Sequence, residues 1–276
     1  MAHPALNNPV LRNPVSGLLA SDRQRIELFL AKSLPQSPSR VTDAMRYSVL
    51  GDAQRIRPIL ALRLARMLRS ETEHTLRAAA AVEILHAASL IVDDLPSMDN
   101  ELLRRGKPAT HVEFGEATAT LAAFSLVALA SRLPIEVPAT EREFSQLRRF
   151  QLALLHTLDV SSLIGGQSLD LELNGGAREQ QREVMNDLKT VPLFRLSVEA
   201  ACVSLPEGIP ASLKDFGRAF GLAFQLTDDY IDGEIASADK HSLYEQYDRC
   251  RALLAPYGPA AETIHELIDY LEQRAR

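Results

Sequence analysis

The 276-residue sequence lacks the features that mark several large classes of protein. Its only cysteines, Cys202 and Cys250, form neither a CxxC pair nor a disulfide-rich pattern, which favours structural thiols in a reducing compartment. The net charge is −6, without the basic surplus that is typical of proteins that bind nucleic acid. These absences argue against a disulfide framework and against nucleic acid as a partner.

Long apolar runs are also absent from the sequence. The best candidate, residues 76–92, is interrupted by an arginine, a glutamate and a histidine, so we expect no transmembrane segment. Residues 1–18 are rich in proline and asparagine and lack the charged start and apolar middle of a signal peptide. We therefore expect a flexible leader over residues 1–18, one domain over residues 19–276, and a cytoplasmic location.

Alternating, strand-like patterns are scarce, whereas apolar residues recur at three- and four-residue spacing along almost the whole chain. The sequence therefore predicts an all-α fold. The predicted helices span residues 20–33, 40–50, 58–70, 73–92, 112–132, 141–163, 178–204, 211–232, 240–255 and 260–275. Because no fixed-period repeat is present, an α-solenoid is disfavoured.

Two clusters of aspartates follow strongly apolar helical segments. Asp93 and Asp94 end the helix that carries EILHAASLIV, and the proline that follows should turn the chain so that Asp99 swings back toward Asp93. In FQLTDDYIDG, Asp228 and Asp232 are four residues apart and share one helical face. Oxygen ligands without histidine or cysteine suit Mg²⁺, which completes its shell with water and phosphate oxygens.

A single acidic group at a helix end is more often a solvated cap than a metal ligand. Here, however, each carboxylate meets the negative end of the helix dipole at a cost of up to about 1 kcal/mol, and something positive has to offset it. Both clusters also adjoin apolar helices that should face the core and not bulk water. The two clusters together therefore favour a magnesium site.

Several cations accompany these carboxylates. They are Arg104, Arg105 and Lys107 after the first cluster, Arg55 and Arg57 in GDAQRIRP, and Lys189 beside Thr190 in NDLKTVPLF. Taken singly, each is more often a solvated surface residue than a ligand. Taken together, they predict a substrate with clustered negative charge and a long apolar part, such as a diphosphate held at the mouth of an apolar helical bundle.

Four motifs over about residues 40 to 245 resemble those of a known family, the trans-isoprenyl diphosphate synthases or polyprenyl synthetases. DDLPSMDNELLRRGKPATH resembles the first aspartate-rich motif with its RRGKP extension, and IGGQSLDL resembles the GGQxxDL motif. LKTVPLF resembles the Lys-Thr motif, and FQLTDDYID the second aspartate-rich motif. The resemblance implies an isoprenoid synthase fold around a central cavity, usually a homodimer, with three Mg²⁺ ions.

The resemblance also implies a reaction and a set of residue roles. The reaction is the condensation of an allylic diphosphate with isopentenyl diphosphate to a short-chain prenyl diphosphate of 15 to 20 carbons. The metal ligands would be Asp93, Asp99 and Asp228, supported by Asp94, Asp229 and Asp232. The allylic diphosphate would be held by Arg104, Lys189, Thr190 and Gln225, and isopentenyl diphosphate by Arg57, His86, Arg105 and Phe224. Asp93, Asp99, Asp228, Lys189 and Arg104 would carry catalysis.

Two further groups of residues complete the expectations. Gly165, Gly166, Gln167 and Asp170 should have a mainly structural role, in close helix packing and a polar network. Ala88 and Ser89, about one turn below Asp93, would leave an apolar tunnel open and so favour a C20 product, with C15 next.

The sequence departs from the family pattern at three places. Gln54, next to Arg55, stands where the family has a lysine that touches isopentenyl diphosphate, and its replacement by lysine should improve activity. Residues 121–126 read LAAFSL where the family has Ala-Gly-Asp. The loop GEIASADKHS after Asp232 lacks most of the family's lysine- and glycine-containing segment, so that Lys240 is the possible substitute for binding the allylic diphosphate.

These departures leave other functions open. A terpene-synthase-like enzyme would ionise a single prenyl diphosphate, and retention of His86 and Arg105 argues mildly against it. A catalytically weak regulatory subunit would tune an active synthase, but it has no evident use for intact metal clusters. A helical Mg²⁺- or Ca²⁺-binding protein would not explain the arginines.

Overall fold

The computed structural model describes residues 17–173, 184, 185, 187–233 and 240–275. The α-helices, labelled α1 to α12, are Gly17–Ser33, Arg40–Val49, Ile56–Met67, Glu73–Asp93, Thr110–Phe114, Glu116–Arg132, Glu141–Thr157, Leu163–Leu173, Val191–Ala201, Ala211–Ile231, Lys240–Leu254 and Glu262–Arg274. Short 3₁₀ helices follow α6 at Leu133–Ile135 and α11 at Ala255–Ala261. The all-α prediction is confirmed. Residues 1–16 of the predicted leader lie outside the described residues.

A two-residue hairpin interrupts the helices between α4 and α5. Strands β1, Leu103–Arg104, and β2, Lys107–Pro108, pair antiparallel with Arg104 opposite Lys107. The two loop residues, Arg105 and Gly106, both have positive φ, at 54° and 76°, as a type I′ turn requires. The sequence pattern did not predict these strands, because they are too short to show alternation.

Helix α4 is the central element of the bundle. It begins with a capping box between Thr72 and Thr75 and packs against α3, α6 and α9. Residues 78–82, four alanines and a valine, are fully buried, and small side chains of this kind allow neighbouring helices to lie close. This burial fixes the end of α4, where Asp93 and Asp94 lie, relative to the surrounding helices.

Helix α10 carries the second acidic cluster and packs against α9 through aromatic rings. The rings of Phe194 and Phe220 lie 5.5 Å apart, and those of Phe194 and Phe224 lie 5.1 Å apart. At Gly221, an added Cβ would lie 3.1 Å from Cα of Val191, so the absence of a side chain permits this close approach. The packing positions the end of α10 beside the start of α9.

Three predicted helices differ from the observed ones. The helix predicted over residues 112–132 is divided by Gly115, whose φ of 86° favours glycine and ends α5 before α6 begins. The helix predicted over residues 141–163 ends at Thr157, and α8 begins at Leu163. The helix predicted over residues 178–204 falls partly on residues outside the described part, and α9 begins at Val191 because Pro192 suits a first turn.

Within the part of the chain that the structure describes, two helical segments are long and apolar enough, by length and composition alone, to cross a membrane. They are Glu73–Asp93 and Glu116–Ile135, and 67% and 44% of their most apolar stretches are buried within the fold. Core helices of globular proteins pass the same test, so the sequence-based expectation of no transmembrane segment stays a prediction.

Candidate active site

The first acidic cluster is shaped by a tight turn after α4. The backbone N–H of Asp99 donates to the carbonyl of Asp93 at 3.0 Å, so the chain returns on itself within six residues. The turn predicted from Pro96 is therefore confirmed, and Asp99 lies close enough to raise the pKa of Asp93. The first acidic cluster is therefore formed by residues that are close to one another in the sequence.

Asp94 and Arg104 form an ion pair at the base of this turn. The Asp94 side chain is 3% exposed, and Nε of Arg104 donates to its two oxygens at 3.0 and 3.2 Å. Arg104 Nη2 donates to Oδ1 of the same carboxylate. The β1–β2 hairpin thus holds Arg104 against α4, with 37% of the arginine side chain exposed. Both oxygens of Asp94 are engaged by this pair.

Asp93 is half-buried, and its carboxyl group is disfavoured in the ionised form. Burial raises its pKa from the ordinary value of 3.8 to about 6, with Lys189 opposing the rise and Asp99 adding to it. Ionised Asp93 is therefore held at a free-energy cost, which a bound cation would remove.

We expect Asp93→Asn to raise the thermal stability of the metal-free protein at pH 8. The folded-state pKa lies above the unfolded one, so the cost of ionising Asp93 is full above about pH 6 and disappears as the pH falls toward 3.8. The gain should thus shrink between pH 7 and pH 4 in thermal melts. Asp248→Asn, at an 80% exposed side chain, serves as the control. A gain that does not depend on pH would contradict this assignment.

Helix α8 packs its GGQ segment against Lys189 and the first cluster. Gln167 Nε2 donates to Asp99 Oδ1 at 3.2 Å, and Lys189 Nζ donates to Asp170 Oδ2 at 2.5 Å. A Cβ on Gly166 would lie 2.8 Å from Cγ of Lys189, closer than real side chains approach. These contacts agree with the structural role expected for this segment.

We expect Gly166→Ala to lower the free energy of unfolding by about 1–2 kcal/mol and kcat by about tenfold. Overpacking costs about 1–3 kcal/mol, which exceeds the gain of up to about 1 kcal/mol in helix propensity. The added methyl group would displace Lys189 and the neighbouring Leu188, so activity should fall together with stability. Ser168→Ala, at an exposed position of the same helix, is the control. Urea unfolding and steady-state kinetics test both effects, and unchanged kinetics would contradict the close packing.

The second acidic cluster lies at the end of α10. Asp232 caps the helix, its N–H donating to the Asp228 carbonyl at 2.9 Å, and Gly233 follows with a φ of 77°. Burial raises the pKa of Asp228, while Arg274 opposes the rise and Asp232 adds to it. Asp229 accepts a hydrogen bond from Gln225 Nε2 at 2.6 Å.

Lys189 and Thr190 lie between the two clusters. Lys189 is close enough to Asp93 to lower its pKa, while Thr190 Oγ1 donates to Gln225 Oε1 at 2.5 Å. Gln225 in turn contacts Asp229. Both acidic helix ends therefore lie next to the same two residues, Lys189 and Thr190, which precede α9. This is expected if the two clusters belong to a single site.

A basic pocket adjoins the clusters around Arg57 and His86. The Arg57 guanidinium lies 4.7 Å from the Phe194 ring centroid and 5.5 Å from that of Phe224, and burial lowers its pKa to about 10. Arg57 Nη1 lies 3.2 Å from Nε2 of His86. Burial, followed by the charges of Arg57 and Arg105, lowers the pKa of His86 well below its usual range. A neutral imidazole that accepts from Arg57 carries its proton on Nδ1.

Polar atoms in this pocket lack partners. Among the described residues, neither Nδ1 of His86 nor Nε of Arg57 has a hydrogen-bond partner, although both atoms are buried. A cleft beside them, between the loop before α3, α4 and the hairpin, is lined by His86, Arg104, Arg105 and Asp94 among others. Unpaired buried donors cost free energy, and a ligand with acceptor oxygens would offset this cost.

Arg55 has a different environment from the other predicted substrate residues. It is 3% exposed, and its Nη1 donates to Glu83 Oε1 at 2.6 Å. Its Nη2 donates to the carbonyls of Val49 and Gly51 at 2.7 and 3.0 Å. These bonds hold the loop before α3. Arg55 and Glu83 also line the cleft that contains His86, so the substrate contact predicted for Arg55 stays a prediction. Glu83, its buried partner, was missed by the sequence analysis, since a glutamate in an apolar helix carries no sign of its counterion.

The remaining predicted residues lie on α4, α11 and the loop before α3. Ala88 is buried, and Ser89 is half-buried with its Oγ donating to the His86 carbonyl at 2.9 Å. The Lys240 backbone begins α11, but its side chain and residues 234–239 lie outside the described part. Gln54 contacts Arg274 of α12 at 3.5 Å. Arg274 was also missed, because it lies 42 residues after the second aspartate-rich motif and belongs to none.

Residues 38–241 match the family described as polyprenyl synthetase, which is about three quarters of the chain. The chain belongs to the polyprenyl synthetase family. It is 32% identical over 268 residues to geranylgeranyl pyrophosphate synthase 4 of Arabidopsis thaliana, covering 94% of this chain and 70% of that one. It is 35% identical over 227 residues to the farnesyl diphosphate synthase of Geobacillus stearothermophilus, covering 80% and 76%.

Solved structures agree with this membership of the polyprenyl synthetases. The geranyltransferase from Legionella pneumophila superposes with a TM-score of 0.84 at 29% identity, covering 97% of this chain and 99% of that one. An FPP/GFPP synthase from Zymomonas mobilis superposes with a TM-score of 0.83 at 28% identity, covering 95% and 99%. The predicted isoprenoid synthase fold is confirmed, and so is the prediction of a short-chain trans-prenyltransferase at the level of the family. The terpene-synthase-like and regulatory-subunit alternatives gain no support over it.

Proposed function

We propose that this polyprenyl synthetase condenses an allylic diphosphate with isopentenyl diphosphate to a short-chain prenyl diphosphate in a Mg²⁺-dependent reaction. The observation that supports it best is the convergence on one site of two acidic helix ends, the Lys189-Thr190 step between them, and a basic pocket with unpaired buried donors. Carboxylates for metal ions and guanidinium groups for phosphate are what two diphosphate substrates require.

The acidic residues fit Mg²⁺ ions that are bound partly by protein carboxylates and partly by substrate phosphates. Within the described part of the chain, no three acidic, histidine or cysteine side chains already converge closely enough to hold a metal ion. Mg²⁺ typically takes one or two protein carboxylates and completes its shell with water and substrate phosphates. Asp93, Asp99 and Asp228, supported by Asp94, Asp229 and Asp232, would hold three ions together with the diphosphate. When bound, the ions would offset the charge that builds on the departing diphosphate.

Two different sets of residues would bind the two substrates. Lys189, Arg104, Thr190 and Gln225 would hold the allylic diphosphate, whose carbon–oxygen bond breaks to give an allylic carbocation and free diphosphate. Arg57, His86, Arg105 and Phe224 would orient isopentenyl diphosphate so that its double bond attacks the cation. The new carbon–carbon bond forms, and a proton passes to the released diphosphate. No protein base is required, because the released diphosphate takes the proton, and the apolar bundle would protect the cation from water.

His86 would serve isopentenyl diphosphate as a neutral donor. Its Nε2 accepts from Arg57, so Nδ1 carries the proton and can donate to a phosphate oxygen. Arg57 remains charged at neutral pH, because its lowered pKa is still about 10. This arrangement supports binding of a diphosphate and gives the histidine no role as a general base.

Product length, assembly and location complete the proposal. Neither Ala88 nor Ser89 would block a tunnel below the first cluster, which favours a C20 product with C15 next.

Exposed apolar side chains on α6, α7 and α8 support a homodimer, among them Leu121, Phe124, Leu152, Leu155 and Ile164. We propose a cytoplasmic location and no transmembrane segment, because most of the apolar stretch of α4 is buried in the fold.

A product assay tests the proposed reaction. The purified full chain would be incubated with Mg²⁺ and dimethylallyl, geranyl or farnesyl diphosphate, with and without isopentenyl diphosphate, and products identified by mass. Longer prenyl diphosphates are expected only when both substrates are present. Hydrocarbons or alcohols from one substrate alone would indicate the terpene-synthase-like reaction. Inactivity unless a second synthase is added would indicate a regulatory subunit.

A further inference from the structure

The β1–β2 hairpin carries Arg105 in its turn, yet it is too short to fix its own position. Each strand has two residues, and a two-stranded hairpin is marginally stable at best on its own in water. Arg105 lies close enough to His86 to lower the pKa of the imidazole, and both residues line the cleft beside α4. The direction in which Arg105 points therefore depends on the contacts that fasten the hairpin to the helices.

Helix α2 supplies one such contact through Tyr47. The Tyr47 hydroxyl donates to the carbonyl of Pro108 at 2.8 Å. The tyrosine ring packs edge-on against Phe114 of α5, with the ring centroids 5.3 Å apart and the planes at 71°. At the next residue of α2, Oγ of Ser48 lies 2.8 Å from Oγ1 of Thr110. Strand β2 and helix α5 are thus held against α2.

The donor of Tyr47 is used by the hairpin. A phenol carries one proton, and here the Pro108 carbonyl receives it. Burial, followed by the charge of Glu113, raises the pKa of Tyr47 above its ordinary value of 10.0, so the group remains a donor at neutral pH. Tyr47 also lines the cleft, but because its proton is bonded to the hairpin, the geometry favours an action through the hairpin over a direct donation to a ligand.

The other strand of the hairpin has a separate anchor. Arg104 of β1 pairs with Asp94 of α4. Pro108 of β2 accepts from Tyr47 of α2. Arg105 lies in the turn between the two strands, so anchors on two different helices determine which way the turn faces. Loss of the Tyr47 bond would loosen β2 while β1 stayed attached, and Arg105 would move with the turn.

We propose that Tyr47 is a positioning residue, whose hydroxyl fixes the hairpin so that Arg105 faces the pocket for isopentenyl diphosphate. This inference rests on the function proposed above, since it deepens the role given there to Arg105. Tyr47 belongs to none of the four motifs. Its contact with Pro108 joins residues that are 61 positions apart, which no local pattern predicts.

Tyr47→Phe tests this role, because it removes the hydroxyl and keeps the ring against Phe114. The variant is expected to raise KM and Kd for isopentenyl diphosphate by about threefold to tenfold, as for the loss of one uncharged hydrogen bond. The KM for the allylic substrate should change by less than about twofold, because Arg104 keeps its anchor on Asp94. Kd would be measured by calorimetry with a non-reactive thio analogue of the allylic diphosphate present. An unchanged Kd would overturn the proposal.

A double-mutant cycle shows whether Tyr47 acts through Arg105. In an Arg105→Ala background, Tyr47→Phe should change kcat/KM for isopentenyl diphosphate by less than about 1.5-fold, because the group that the hairpin positions is gone. This ratio stays measurable when binding is weak. Effects of equal size in the two backgrounds would show that Tyr47 acts by another route and would refute the proposal.

Hydrogen–deuterium exchange measures the anchoring itself. Exchange of the backbone amides of residues 102–107 should become faster in Tyr47→Phe, whereas the amides of α4 should keep their protection. Unchanged exchange in the hairpin would contradict an anchor at Tyr47.

A second tyrosine provides the matched control. The Tyr257 hydroxyl lies 3.0 Å from Oγ of Ser212, and Tyr257 does not line the cleft. Tyr257→Phe should therefore lower the thermal midpoint about as much as Tyr47→Phe does, and leave Kd for isopentenyl diphosphate unchanged. An equal rise of Kd in both variants would mean that lowered stability, and not the position of the hairpin, weakens binding.

The same measurements distinguish this proposal from the proposed function. A wild-type chain that elongates, but whose Kd for isopentenyl diphosphate does not respond to Tyr47→Phe, would refute the role of Tyr47 alone. A wild-type chain that neither elongates nor binds isopentenyl diphosphate would refute both.

Discussion

Asp93→Ala and Asp228→Ala are each expected to lower kcat/KM for chain elongation at least about a hundredfold. Asp93 and Asp228 lie in different clusters that both adjoin Lys189 and Thr190. Under the proposed function both hold Mg²⁺, so either loss would leave part of the charge on the departing diphosphate without a counterion. Removal of one group that stabilises charge in a transition state typically costs about 10²–10³ in kcat. Steady-state kinetics across a range of Mg²⁺ concentrations would measure the loss.

Stability measurements separate this loss from unfolding. Asp228 is the partner of the mostly buried Arg274, so Asp228→Ala should also destabilise the fold, whereas Asp93→Ala removes a carboxylate that burial disfavours. The two variants should thus lose activity alike and differ in thermal stability. Asp248→Ala, at an exposed aspartate of α11, is the matched control and should change neither. Normal activity in either active-site variant would refute the metal assignment.

The sequence predicted the acidic clusters because their geometry is local. Pro96 turns the chain between Asp93 and Asp99, and helical spacing places Asp228 and Asp232 together, so a few residues determine each arrangement. The all-α fold followed from apolar periodicity in the same way. The helix ends were less predictable, because the break at Gly115 depends on one glycine with positive φ.

Long-range pairing could not be predicted from local pattern. Arg274 reaches Asp228 across 46 residues and Gln54 across 220, and no spacing rule connects them. Arg55 appeared equivalent to Arg57 in the sequence, yet Glu83 of α4 engages Arg55 while Phe194 packs against Arg57. The environments of the two arginines therefore depend on partners that are distant in sequence.

Arg104→Ala is expected to lower the free energy of unfolding by about 3 kcal/mol and to abolish most of the activity. The variant leaves the carboxylate of Asp94, 3% exposed, without the guanidinium that pairs with it. Loss of one partner of a buried ion pair costs about 3–5 kcal/mol, and the low end applies because the Arg104 side chain is 37% exposed. Urea unfolding would measure the change.

A double variant separates the structural part of this effect from the functional part. Arg104→Gln combined with Asp94→Asn removes both charges. Asparagine keeps the shape of Asp94, and the shorter glutamine keeps a polar end group at position 104, so much of the stability should return. Activity should stay low, because the variant lacks both the guanidinium proposed to bind the allylic diphosphate and the carboxylate proposed to support the metal ions. Arg132→Ala, which breaks an exposed pair with Glu136, should cost about 0.5 kcal/mol or less and leave the kinetics unchanged. If activity returned together with stability in the double variant, Arg104 would act only by holding α4 and the hairpin together.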